Sequence, residues 1–184
     1  MLEKQSEFTI YENDTFKNYF DYHIYFFKYE GIIRETILKY KFQDNSYLYK
    51  TFTNFFIKNK KFCRFLENYD IIMPVPISKK RNKERGYNQS TLIATELSKI
   101  LNLELVINCL KKTQNVIEQS KLSKEKREEN IKGVYSLINE EKLKNKKILL
   151  VDDIFTTGST VNECCKMLQV VEPSEITVLT IAKD

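Results

Sequence analysis

The chain has 184 residues, 30 Lys and Arg against 25 Asp and Glu, and a formal charge of +5. That is enough for one domain with a sizeable core and a small appendage, and the mild basic surplus permits an anionic ligand without requiring one. No run of eighteen apolar residues exists to span a membrane, and Met1–Ile10 carries Glu3, Lys4 and Glu7 where a signal peptide would need an apolar stretch, so a cytoplasmic protein is expected.

Taken in order, Phe8–Tyr11 and His23–Tyr29 read as strands rich in aromatic and β-branched residues. Glu30-Gly31 is a turn. Ile32, Ile33, Thr36, Ile37 and Tyr40 then follow a helical stripe, and a second aromatic helix is expected from about Ser46 to Phe62. Eighteen of the aromatics (11 Tyr and 12 Phe in all) lie before residue 63, which sets residues 1–65 apart as a hood-like segment from a core over 66–184. The four cysteines, Cys63, Cys109, Cys164 and Cys165, form no C-x-x-C pair, and His23 is the single histidine. No zinc site is expected from that set, and the thiols read as buried and reduced.

Asp70–Pro76 looks like a short buried strand ending in a rigid loop, because each proline resists further pairing. Gln89–Leu101 reads as a helix with Ile93, Leu97, Ile100 and Leu101 inward, and Leu103–Leu110 as a strand. Residues 111–130 are charged and read as a loop passing into a short helix. Val134–Ile138 and Lys147–Val151 are strands, Ser159–Val170 a helix with Val161, Cys164, Cys165 and Leu168 inward, and Ile176–Ile181 a closing strand. This alternation implies an α/β fold with a parallel sheet flanked by helices.

The stretch Ile148-Leu-Leu-Val-Asp152-Asp153-Ile-Phe-Thr156-Thr157-Gly158-Ser159-Thr160 carries the chemistry. An apolar strand ends in two carboxylates, four hydroxyl residues and a glycine follow, and a helix opens. Helix amino ends present unpaired N–H groups that attract phosphate, and Gly158 lets the backbone approach closely. The hydroxyls of Thr156, Thr157, Ser159 and Thr160 can donate to phosphate oxygens. Asp152 and Asp153 can accept from a ribose diol or stand near a hydrated Mg²⁺. An ordinary capped turn accounts for one hydroxyl residue, not four. Neither G-x-G-x-x-G nor a Walker A ending is present. The stretch resembles the phosphoribosyl pyrophosphate (PRPP) signature of type I phosphoribosyltransferases.

A second cluster, Pro74-Val-Pro76-Ile-Ser-Lys-Lys-Arg81-Asn-Lys-Glu-Arg85-Gly86-Tyr87-Asn88-Gln89, sets five cations within seven residues in a loop after another strand. A polyanion such as pyrophosphate would call for such groups, and a solvated basic loop is the alternative. Together the clusters resemble the ComF family, whose P-V-P segment leads to R-G-F-N-Q, here Arg85–Gln89. Gln119, Leu122, Arg127, Asn130 and Gly133-Val-Tyr135 match its later pattern, and Tyr29-Glu-Gly31 and Lys39-Tyr-Lys41-Phe42 its upstream segment. The family's usual four-cysteine zinc module has no counterpart, since no cysteine precedes Cys63.

The resemblance implies PRPP binding with Mg²⁺ carried by the ligand, and transfer of phosphoribosyl to a nitrogen acceptor. Asp152 and Asp153 would take the ribose diol and residues 156–160 the 5-phosphate. Arg81, Arg85, Lys112 and Arg127 are candidates for the pyrophosphate. It also links the chain to natural transformation, and so to two alternatives. One is single-stranded DNA held by basic runs and aromatic platforms; the other is a partner role among competence proteins.

Overall fold

The computed structural model describes residues 8–13, 18–43, 45–113, 133–138 and 140–184. Its main sheet has six strands in the order β1-β2-β8-β7-β3-β4. These are β1 (Thr9–Glu12), β2 (Tyr22–Lys28), β3 (Ile71–Pro74), β4 (Glu104–Leu105), β7 (Lys147–Phe155) and β8 (Glu175–Lys183). β1 is antiparallel to β2 and every other pairing is parallel. A separate antiparallel pair joins β5 (Leu110–Lys112) to β6 (Tyr135–Leu137).

Six helices are seen among the described residues: α1 (Gly31–Phe42), α2 (Leu48–Lys58), α3 (Lys60–Leu66), α4 (Lys79–Arg85), α5 (Gln89–Leu101) and α6 (Ser159–Gln169). The sheet divides two apolar clusters. Ile148 and Leu150 of β7 face α6, with Val161, Cys164, Cys165 and Leu168. Leu149 and Val151 face α1, α2, α3 and α5, with Ile37, Phe56, Phe62 and Leu97. Burial on both faces is why β7 and β8 read as near-continuous apolar runs. The four cysteines form no disulfide among the described residues; Cys63 is half-buried and the rest buried. Among the described residues no helix is long and apolar enough to cross a membrane, and no three His, Cys, Asp or Glu side chains gather as a metal site.

Several elements differ from expectation. The aromatic helix of residues 46–62 is two helices, because Asn59 breaks it and its side chain accepts from the N–H groups of Lys61 and Phe62 to cap α3. The basic run Lys79–Arg85 is a helix, not a loop. Ser78 caps it by accepting from Arg81 N, and Gly86 at φ 76° ends it. Leu103–Leu110 is not one strand but the separate β4 and β5. On α5 the buried apolar residues are Ile93, Ala94 and Leu97, while Ile100 is exposed. β1 and β2 extend the main sheet beyond β8, so the aromatic first third is continuous with it.

Candidate functional site

Two strands set the site. β3 and β7 are neighbours in register, Pro74 opposite Val151, and Val75 N donates to Val151 O at 2.8 Å. The segment leaving β3 and the acid pair near the end of β7 therefore meet at the carboxyl edge of the sheet, where open α/β sheets bind ligands. A cavity of about 460 Å³ opens there.

The loop after β7 is ordered by its own hydroxyls. Thr157 Oγ1 lies 2.6 Å from Ser159 Oγ and accepts from Ser159 N at 3.3 Å. Gly158, at φ 76°, stands at the cap position of α6, where no side chain caps the helix. The positive end of α6 is thereby left facing the cavity. Thr156, Thr157, Gly158, Ser159 and Thr160 all line it.

Asp152 and Asp153 line the same cavity from β7. Asp152 Oδ1 accepts from Ser90 Oγ at 3.1 Å and from Asp153 N at 2.9 Å. Burial, and then the adjacent charge of Asp153, push the Asp152 carboxyl up to about 7, against the pull of Lys41 and of its two donors. Asp153 forms an ion pair with Lys41 of α1, Nζ to Oδ1 2.8 Å, both side chains largely buried.

The Arg85–Gln89 segment joins three parts of the molecule. Arg85 Nη1 donates to Gln89 Oε1 at 3.0 Å, and its guanidinium lies 4.9 Å from the centre of the Phe42 ring. Gln89 is 1% exposed, and its backbone O accepts from Tyr40 Oη at 2.9 Å. Tyr87 Oη donates to Tyr40 O at 2.6 Å. Asn88 Nδ2 donates to Val75 O at 3.0 Å, and Asn88 Oδ1 caps α5 through Ser90 N. The motif thus ties α1 and the loop after β3 to α5.

Arg81, Arg85 and Lys112 all line the cavity, as the acid pair and hydroxyl loop do, so ten of the eleven expected site residues converge. Arg127 lies outside the described residues, as do Gln119, Leu122 and Asn130. Burial, followed by the charge of Arg81, lowers the Lys112 ammonium's pKa. Lys112 also packs over Tyr135, 5.3 Å to the ring centre. Sequence reasoning missed Arg34, Lys41, Phe42, Tyr135 and Asp184, which line the cavity too, and Ser90, which holds Asp152. Lys41 and Phe42 stand out in the sequence only through the family resemblance of Lys39–Phe42, because nothing local marks one helical lysine as a carboxylate's partner.

The arrangement brings the uncapped amino end of α6, the carboxylates of β7 and cations from α4 and β5 to one cavity. The phosphoribosyl transferase domain family matches residues 87–184. "Competence protein F" of Haemophilus influenzae is 32% identical over 151 residues, 80% of this chain and 66% of that protein. "Competence protein ComFC" of Bacillus subtilis is 26% identical, covering 77% of this chain and 55% of that one. "DNA utilization protein YhgH" of Escherichia coli is 34% identical over 54% of this chain. The chain thus spans 43% to 66% of these relatives' lengths. A purine phosphoribosyltransferase from Pyrococcus horikoshii superposes over 75% of this chain and 84% of its own, at 15% identity and a TM-score of 0.47. The chain belongs to the phosphoribosyl transferase domain family, in its ComF branch.

Proposed function

We propose that the cavity binds PRPP. The observation that carries this reading is the convergence of the acid pair, the hydroxyl loop, Arg81, Arg85 and Lys112 on one cavity of about 460 Å³. The 5-phosphate sits against residues 156–160 and the α6 amino end. The ribose 2- and 3-hydroxyls donate to Asp152 and Asp153. The pyrophosphate faces Arg81, Arg85 and Lys112, with the Arg85 guanidinium steadied by Gln89 and Phe42.

The residues present do not fit a divalent ion held by the protein. Lys41 already stands on Asp153, and Asp152 is easily protonated. Mg²⁺ is proposed to enter only on the pyrophosphate of PRPP.

The chemistry that fits is displacement at ribose C1. A nitrogen lone pair forms the new C–N bond, the C1–O bond breaks, and pyrophosphate leaves with that electron pair while the nitrogen's proton passes to solvent. The cations stabilise the leaving charge and the fixed acids position the sugar. The names of the relatives, two competence proteins and a DNA utilization protein, support a role in competence and DNA uptake.

The test is calorimetry with PRPP, on the wild type and on Asp152→Asn/Asp153→Asn checked for folding by circular dichroism. Binding lost in a folded variant supports the assignment; binding retained sinks it.

A second reading, single-stranded DNA on a basic surface, is favoured by α4, which carries five cations and no buried residue. Titration with labelled oligonucleotides at rising salt tests it, and no binding at low salt ends it.

A further inference from the structure

Lys41 is placed too firmly to be an ordinary surface lysine. It lies one residue from the end of α1, directly after Tyr40. Tyr40 is 0% exposed; its hydroxyl donates to Gln89 O and its own carbonyl accepts from Tyr87 Oη. The backbone leading into Lys41 is thus fixed to α5, and the side chain lines the cavity and reaches Asp153, where it is 17% exposed. The contact with Asp153 Oδ1 at 2.8 Å uses one of the ammonium's three N–H donors, and the other two can serve a ligand.

A sugar diphosphate at an acid pair poses an electrostatic problem. Two carboxylates repel the anionic ligand they must hold, and a cation between them relieves that repulsion. A hydrated divalent ion is one solution. Here the chain carries its own cation at that place. We propose that Lys41 is a resident counter-ion of the acid pair, supplying beside Asp153 the positive charge that a divalent metal would otherwise bring. Binding of the phosphoribosyl donor then does not require Mg²⁺. This rests on the PRPP reading of the same cavity.

The experiment titrates PRPP into the whole chain by calorimetry, once with Mg²⁺ and once in EDTA, for the wild type, Lys41→Met and Lys41→Arg. The expected result is that the wild type binds in both buffers with affinities within about threefold, less than one charge-assisted hydrogen bond is worth. K41M weakens in EDTA by about tenfold or more, as loss of charge-assisted bonds requires, and Mg²⁺ restores part of it. K41R, which keeps the charge, stays near the wild type in EDTA. Wild-type binding that vanishes in EDTA and returns with Mg²⁺ overturns the inference and leaves the PRPP reading standing. So does a K41M chain that binds in EDTA as the wild type does. No wild-type binding in either buffer overturns the PRPP reading, and this inference with it. If K41M does not fold, the wild-type comparison alone still decides.

Discussion

Gly158→Ala tests whether the loop between β7 and α6 is built as described. Gly158 has φ 76°, where a side chain costs about 1–2 kcal/mol. An added Cβ would also lie 2.4 Å from Phe155 Cζ and 3.0 Å from Cε1 and Cε2. That ring cannot swing away easily. It stacks on His23 at 4.2 Å and meets Phe20 edge-on at 6.2 Å, and His23 is 1% exposed. Overpacking of this kind costs about 1–3 kcal/mol. The sum, about 2–5 kcal/mol, is read by equilibrium urea unfolding at pH 7. Phe155→Leu separates the two parts. Introduced into the Phe155→Leu background, G158A should cost only the backbone share of about 1–2 kcal/mol. A G158A chain within about 0.5 kcal/mol of the wild type would refute the reasoning.

Two further changes probe the supports of the site. Gln89→Ala removes the acceptor of Arg85 from a 1%-exposed position and should destabilise the fold by about 1–3 kcal/mol, read by urea unfolding, while weakening PRPP binding in the folded chain. Asp152 gives a pH signature. Its carboxyl is raised from 3.8 to about 7 in the fold, so between those values the folded chain holds a proton that the unfolded chain has released. The stability associated with Asp152 is present below pH 4 and is lost as pH rises towards 7. Buried His23, lowered to about 3, acts in the opposite sense, costing stability as pH falls below 6.5. The difference between the wild type and Asp152→Asn isolates the first effect. From pH 5 to pH 7 the wild type should lose stability relative to D152N by at most about 1.4 kcal/mol per pH unit. A difference that does not change with pH would contradict the raised carboxyl of Asp152.

The parts of the fold visible in the sequence are those coded locally. β7, its loop and α6 form one continuous stretch, so apolar run, acid pair, hydroxyls and glycine announce one another. The helix of Lys79–Arg85 was also written locally, in Ser78 and Gly86 as its cap and stop, but the density of charge masked both. Asn59 likewise hid a helix break inside an aromatic run. What the sequence could not show is pairing across distance. Lys41 and Asp153 are 112 positions apart, and Ser90 and Asp152 are 62 apart. Arg85 lines the cavity, but nothing in its neighbours announces that its guanidinium packs on Phe42 of α1. A side chain's charge is legible in a sequence; its partner depends on which helices the sheet brings to the same edge.

The most direct test of the central claim is a calorimetric comparison of PRPP, ribose 5-phosphate and pyrophosphate on the wild-type chain. A cavity that holds phosphate loop, acid pair and cations together should bind one PRPP per chain more tightly than either half. Equal affinity for pyrophosphate and PRPP, or no binding of PRPP, would contradict it.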